Sequence, residues 1–242
     1  MVSNNTKRHF YELEGSFKVR FGSNRFWEKR YHNGRSKIIE EILTKELKNC
    51  NYDFLLDAGC GTGEMGKILK TRGKTVVGVD ISSTYLKRSR NILKILVEGD
   101  LENLPFKSRA FDFILCADAI EHVQNFDSAV NELLRVGRKY ILITTPNEGI
   151  LRQFFRFVTE SKLKKIDLKV GHNHIFSLFL LCNRLSKDGW VVSYRRSFHV
   201  LQPITDKILP PIFEHFILAL EKIENVVLPN FGSISAVLLR RK

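Results

Sequence analysis

The sequence predicts a doubly wound α/β fold, a mostly parallel seven-stranded sheet with helices on both faces. Three observations carry that expectation. Strand-like and helix-like segments alternate from 53 to 145 with short connections. The strand segments are continuous apolar runs rather than alternating ones, as strands buried on both faces must be. A glycine-rich turn, "AGCGTGEMG", stands between the first strand and its helix, where α/β sheets bind ligands.

Each element has its own signal. "RSKIIEEILTKELK" (35–48) places Ile38, Ile39, Ile42, Leu43 and Leu47 at helical spacing and reads as a lead-in helix. "YDFLLDAG" is the first strand. "EMGKILKTRG" follows as a helix with Gly73 as its C-terminal cap. "KTVVGVD" is the second strand, and Ser82 N-caps the helix of "SSTYLKRSRNILK". "ILVEGD" is the third strand, and the fourth begins near Phe111. "NFDSAVNELLRVG" is helical and "RKYILITTPN" is the fifth strand. Beyond Pro146 the order is a Lys-rich stretch, a helix in "FSLFLLCNRLSKDGW" ending at Gly189, a strand in "WVVSYRRSFHV", an apolar helix in "PPIFEHFILALEKIENVVLP" and a last strand in "GSISAVLLRR". The 242 residues suit one domain: an N-terminal helical cap (1–50), a ligand-binding core (51–146), a lid insertion (147–174) and the rest of the sheet with a substrate-side helix (175–242).

Composition excludes several classes. No apolar run is long enough to span a membrane, and "MVSNNTKRHFYELEG" has no secretory h-region. Cys50, Cys60, Cys116 and Cys182 are widely spaced with no C-x-x-C, so a disulfide framework or zinc site is not expected. Reduced thiols and a cytoplasmic location are. The net charge of +13 sits in the flanks: 11 Lys/Arg against 6 Asp/Glu in 1–52, 13 against 12 in 53–145, and 15 against 8 in 146–242. A basic rim attracts nucleic acid, anionic lipid or phosphorylated substrates, but these charges are scattered, which favours an ordinary solvated surface.

"GTGEMG" is a G-x-G-x-x-G, which alone fits any adenosine cofactor. Gly59, Gly61 and Gly63 let the backbone approach a ligand, and the helix behind offers free N–H groups. Asp80 ends the second strand 17 residues past Gly63, placed to accept from ribose hydroxyls. Asp57 precedes the glycines. A carboxylate there suits a cationic ligand group and gains nothing from a pyrophosphate. Asp100, past the third strand, can accept from an adenine amino group. Together they describe a ligand with an amino acid, a ribose and an adenine.

On these residues the chain resembles the class I S-adenosylmethionine (SAM) dependent methyltransferases, which have a Rossmann-like fold. "LLDAGCGTG" resembles their first motif, "VVGVDIS" the ribose-binding strand end, and "GDLENLPFKSRAFDFILCADAIEHV" the adenine loop, fourth strand and turn. The likeness spans roughly 53–146 and is nearest the ubiquinone and menaquinone biosynthesis branch, where "EHV" is common. "HNHIFSLFLLCNRLSKDGW" resembles that branch's later helix, with Trp190 in place of the usual Phe. The resemblance implies that Gly59, Gly61 and Gly63 line the methionine portion, Asp80 and Ile81 hold the ribose, and Asp100 and Leu101 hold the adenine. It implies that Asp57 orients the amino-acid end and Asp118 sits beside the sulfonium. Gly66 reads as helix packing.

The implied activity is methyl transfer, by in-line displacement, to a small-molecule or lipid-like acceptor. His122 is the candidate general base should the acceptor keep its proton, with Glu121 a weaker one. His172 and His174 lack a third ligand partner in sequence and read as substrate-side or structural, not as a metal site. Aromatic residues in "GSNRFWEKRY" and "RQFFRF" suit a cap and lid over an amphiphilic acceptor. The alternatives are a tRNA methyltransferase using the basic flanks, a non-catalytic SAM-binding protein, and a nicotinamide oxidoreductase, which leaves Asp57 and Asp100 without a role. Oligomeric state and acceptor atom are not legible.

Overall fold

The computed structural model describes residues 25–48, 50, 52–71, 75–147, 173–174, 176–198, 232 and 234–242. Helix α1 spans Arg25–Lys45, followed by β1 (Phe54–Ala58), α2 (Glu64–Lys70), β2 (Thr75–Asp80), α3 (Ser83–Ser89) and β3 (Ile95–Glu98). Then come β4 (Phe111–Ala117), a single 3-10 turn (Ile120–His122), α4 (Phe126–Val136) and β5 (Gly137–Pro146). Helix α5 (Leu178–Leu185), β6 (Trp190–Phe198) and β7 (Ile234–Arg241) complete the described elements.

The seven strands form one sheet in the order β3-β2-β1-β4-β5-β7-β6. Strands β1 to β5 pair in parallel, and β7 runs antiparallel between β5 and β6. This is the doubly wound sheet that the alternating elements predict. Chain order reverses at β1, between β2 and β4, so β1 and β4 are the neighbours that open a crevice at their C-terminal ends.

Burial explains the apolar runs. Every residue of β4 is buried, and its side chains alternate between two cores. Phe113 and Leu115 face Ile38, Ile39, Ile42 and Leu43 of α1 and Leu69 of α2. Ile114 and Cys116 face Val130 and Leu133 of α4 and Leu181 and Leu185 of α5. A strand with helices on both sides has no polar face to spare, so its sequence cannot alternate.

Local signals hold at the helix starts. Ser82 accepts the Tyr85 N–H, Asn125 accepts the Ser128 N–H and Ser177 accepts the Leu180 N–H, each satisfying an N-terminal donor. Boundaries moved elsewhere. The lead-in helix begins ten residues before the predicted 35, at Arg25, and ends at Lys45. Helix α3 stops at Ser89, short of the predicted Lys94. Helix α5 ends at Leu185, and Gly189, at φ 79, turns the chain into β6. Gly73, the N-terminal aromatics before Arg25, the lid in 148–172, His172 and the apolar helix after Pro210 lie outside the described residues.

The edge away from the crevice is fixed by charge. Asp112, at the start of β4, accepts the N–H groups of Asp53 and Phe54 and pairs with Arg138 and Lys139. Burial acts to raise its carboxyl, yet these partners hold it at about 2. That clamp fixes the starts of β1, β4 and β5 in register, and with them the opposite ends.

Candidate cofactor site

The crevice is built at the C-terminal ends of β1, β2 and β4. Gly59, Gly61 and Gly63 adopt φ of 74, 50 and 84, a left-handed region that L side chains avoid. They have different neighbours. A Cβ on Gly59 would lie 2.4 Å from Ala119 Cβ, so Gly59 lets the loop pass the end of β4. A Cβ on Gly61 would meet nothing within 4 Å among the described residues, so Gly61 borders open space. A Cβ on Gly66, inside α2, would meet Leu93 at 2.7 Å and Asp57 Oδ2 at 3.0 Å. Gly66 is a packing glycine, as the sequence suggests.

Asp80 anchors the loop. Its Oδ2 accepts the Gly61 N–H at 2.8 Å and its Oδ1 accepts the Ser82 N–H at 2.9 Å. Burial pushes its carboxyl up, and these N–H groups oppose that. Since Ser82 caps α3, Asp80 is left at the strand end, with lone pairs beyond those two bonds. Ile81, the next residue, is half-buried.

Asp57 is almost wholly buried, at 1% exposure. Burial and the neighbouring Asp80 push its carboxyl up to about 7, against the opposing pull of Arg35 and the Gly66 N–H. Its Oδ2 has no hydrogen-bond partner among the described residues. A buried acceptor without a donor is costly, and a cation nearby offsets part of that cost. The nearby thiol of Cys60 is pushed well above its usual range by burial, so its thiolate is disfavoured.

Asp100 and Leu101 sit on the loop after β3. Asp100 Oδ1 accepts the Glu102 N–H, which folds the loop on itself, and Leu101 is buried beneath Gly59. Glu132 of α4 accepts the Leu104 N–H at 2.7 Å, and Arg135 donates to the carbonyls of Leu104 and Phe106. Glu102 accepts the Gln124 N–H at 2.7 Å. The loop is therefore held from both sides.

Asp118 stands directly after β4 at φ 51. Its N–H donates to the Thr144 carbonyl, and its Oδ2 pairs with Arg35 Nη1 of α1 at 2.6 Å. The sequence reading did not identify Arg35. A signal was present: Arg35, Ile38, Ile39 and Ile42 fall on one helical stripe, so the stripe buries a cation that needs a partner.

His122 closes the 3-10 turn, with Nε2 3.9 Å from Glu121 Oε1. Glu121 is buried and accepts the Thr145 hydroxyl at 3.2 Å. The end of the predicted lid insertion grips this turn. The N–H groups of Asn173 and His174 donate to the Glu121 carbonyl, and Asn173 Nδ2 donates to the carbonyls of His122 and Val123. His174 lies 3.1 Å from the Gln124 carbonyl and packs against the Phe126 and Phe176 rings, which also touch each other. Its place in the molecule is that of a brace for the turn.

Among the residues proposed from sequence, the strand ends thus gather Asp57, Asp80, Asp100 and Asp118 around the glycine loop. A family model described as a methyltransferase domain matches residues 56–140, which contain all four. A protein of Methanocaldococcus jannaschii is 30% identical over 72% of each chain. The chain belongs to the class I SAM-dependent methyltransferases. Its cofactor is SAM, and the buried Asp57 carboxylate, the open side of Gly61 and the strand-end acids fit that cationic adenosine ligand. The methyltransferase is also 29% identical to the malonyl-[acyl-carrier protein] O-methyltransferase of Buchnera aphidicola, over 49% of each chain, so it spans about half of that relative's length. In fold it matches the magnesium protoporphyrin IX methyltransferase of Synechocystis, solved with bound SAH, the demethylated product of SAM (TM-score 0.67, 14% identity, 99% and 100% of the two chains). The PH0226 protein of Pyrococcus horikoshii has the same fold, with a TM-score of 0.61, 18% identity and coverage of 96% and 98%. Among the described residues no helix is long and apolar enough to cross a membrane.

Proposed function

We propose that this methyltransferase modifies a small-molecule or lipid-like acceptor, on oxygen. The observation that carries this reading is the Arg35–Asp118 pair, which fastens a helix of the same chain across the end of β4. A site bordered by that helix suits a small group reaching in better than a folded nucleic acid. The aromatic sequences of 22–31 and 148–158 suit an apolar acceptor. The relatives named for O-methylation of a carrier-bound malonyl group support an oxygen acceptor.

When bound, SAM supplies a methyl already activated on a sulfonium. In this reading the chain's own residues bind, orient and exclude water. Asp80 takes the ribose hydroxyls while keeping the glycine loop in place, and Ile81 packs beside it. Asp100 and Leu101 hold the adenine. Gly59, Gly61 and Gly63 leave room for the methionine portion, and Asp57 and Asp118 face its cationic end. For an acceptor that keeps its proton, His122 is the group to remove it, with the Glu121 carboxylate 3.9 Å from its Nε2. A carboxylate acceptor is ionised at neutral pH and needs no base. The chain then works as one domain, with the segments flanking the described core supplying acceptor specificity.

Transfer of radiolabelled methyl from SAM tests this reading on four pools: free acids, carrier-bound acids, quinone precursors and tRNA. Label in one of the first three is the expected result. Label confined to tRNA would replace this reading with the RNA one.

A further inference from the structure

The Arg35–Asp118 pair has a consequence for ligand choice. Arg35 Nη1 and Asp118 Oδ2 are 2.6 Å apart, and the two side chains are 8% and 6% exposed. A buried pair of this kind is little screened by solvent, so its charges act on whatever lies beside them. Asp118 cannot move away easily. Its backbone holds a left-handed φ of 51, its N–H is bonded to the Thr144 carbonyl at 2.9 Å, and the Thr144 hydroxyl lies 3.5 Å from its Oδ1. Arg35 also acts on Asp57, where its positive charge opposes the effects of burial and of Asp80. One guanidinium thus offsets two of the acids that face the cationic end of the cofactor.

SAM and SAH share every group except one methyl and one positive charge. Contacts to the shared adenosine and amino acid hold both equally, so only the local field and the methyl contact separate them. A fixed cation beside Asp118 and Asp57 weakens that field for a further positive charge.

We propose that Arg35 is a specificity-determining residue, whose charge limits how strongly the site prefers the sulfonium cofactor over its neutral thioether product. The inference rests on the reading that Asp118 and Asp57 lie at the sulfonium end of the ligand. It gives α1 a role beyond covering the core, because a residue of that helix also sets the charge beside Asp118. Loss of the charge makes the acids more negative towards the ligand. Proton uptake by Asp57 reduces that change without reversing its sign.

Calorimetric dissociation constants for SAM and SAH, at pH 8 in the full-length chain, test this. For Arg35→Gln the ratio of the SAH to the SAM constant is expected to rise at least about threefold, whatever happens to either value alone. Arg35→Lys keeps the charge and should keep the ratio within about twofold. A loss of the same factor for both ligands in Arg35→Gln would overturn the inference, since a purely structural role, or a contact to a group that both ligands carry, moves them together. Should Arg35→Gln fail to fold, Asp118→Asn makes the opposite change and should lower the ratio at least about threefold; an unchanged ratio there also overturns it. Wild type that binds neither ligand would instead remove the cofactor reading beneath it.

Discussion

Asp80 Oδ2 accepts the Gly61 N–H at 2.8 Å, which ties the end of β2 to the middle of the glycine loop. One carboxylate therefore shapes the loop and faces the ligand. Asp80→Asn puts an amide N–H against one of two backbone donors. We expect stability to fall by about 1–3 kcal/mol and SAM affinity by at least about thirtyfold. Thermal melts and calorimetry on the same preparation read both. Unchanged affinity would remove Asp80 from the site.

The loop glycines separate fold from binding. Ala at 59 sets a Cβ 2.4 Å from Ala119 Cβ with both backbones fixed, and should destabilise by about 3 kcal/mol or more. Ala at 61 meets only the strain of its φ, about 1–2 kcal/mol, but fills the open side of the loop. Gly61→Ala should stay folded and lose SAM binding, whereas Gly59→Ala should melt at clearly lower temperature. Equal melting temperatures for the two variants would contradict the different roles assigned to them.

Much of this site was legible in the chain because strand-end chemistry is local. A glycine loop after an apolar run, with acids 57, 80, 100 and 118 at successive strand ends, needs only the alternation of elements to bring it together. What was not legible depends on contacts across the fold. Arg35 finds its partner 83 residues away, and the grip of Asn173 on the turn spans 50 or more residues. The early end of α3 was missed for a different reason. "RNILK" continues a helical pattern, but Leu93 turns inward to pack on Gly66 and Gly78, and the helix stops before it. Asp118, which the resemblance places beside the sulfonium, is also half of an ion pair with Arg35.

Asp57 gives a pH signature. Its pKa rises on folding from 3.8 to about 7, so the folded form binds the proton more tightly. Its contribution to stability is full below about pH 4 and is lost as pH rises towards 7. At about 1.36 kcal/mol per unit the ceiling is on the order of 4 kcal/mol. Asp57→Asn should flatten that part of the unfolding curve. A positively charged ligand favours the ionised carboxylate, so SAM affinity in the wild type should climb from pH 5 to 7 and level off. Calorimetry in two buffers of different ionisation heat should show proton release below pH 7. No release would place Asp57 away from the ligand.

Asn173 braces the turn that carries Glu121 and His122. Asn173→Ala removes two donors to the carbonyls of His122 and Val123 and should reduce stability by about 1–2 kcal/mol. Hydrogen exchange should quicken at the amides of residues 173 and 174 while β4 and β5 keep their protection. Faster exchange throughout the sheet would show that the brace supports the core and not the turn alone.

We propose that Asp57, Asp80, Asp100 and Asp118 make this glycine loop a site for a cationic adenosine cofactor and not for a pyrophosphate. Titration of the purified chain with SAM, SAH and NAD tests it most directly. Saturable binding of SAM and SAH and none of NAD is expected; binding of NAD without SAM would overturn the assignment.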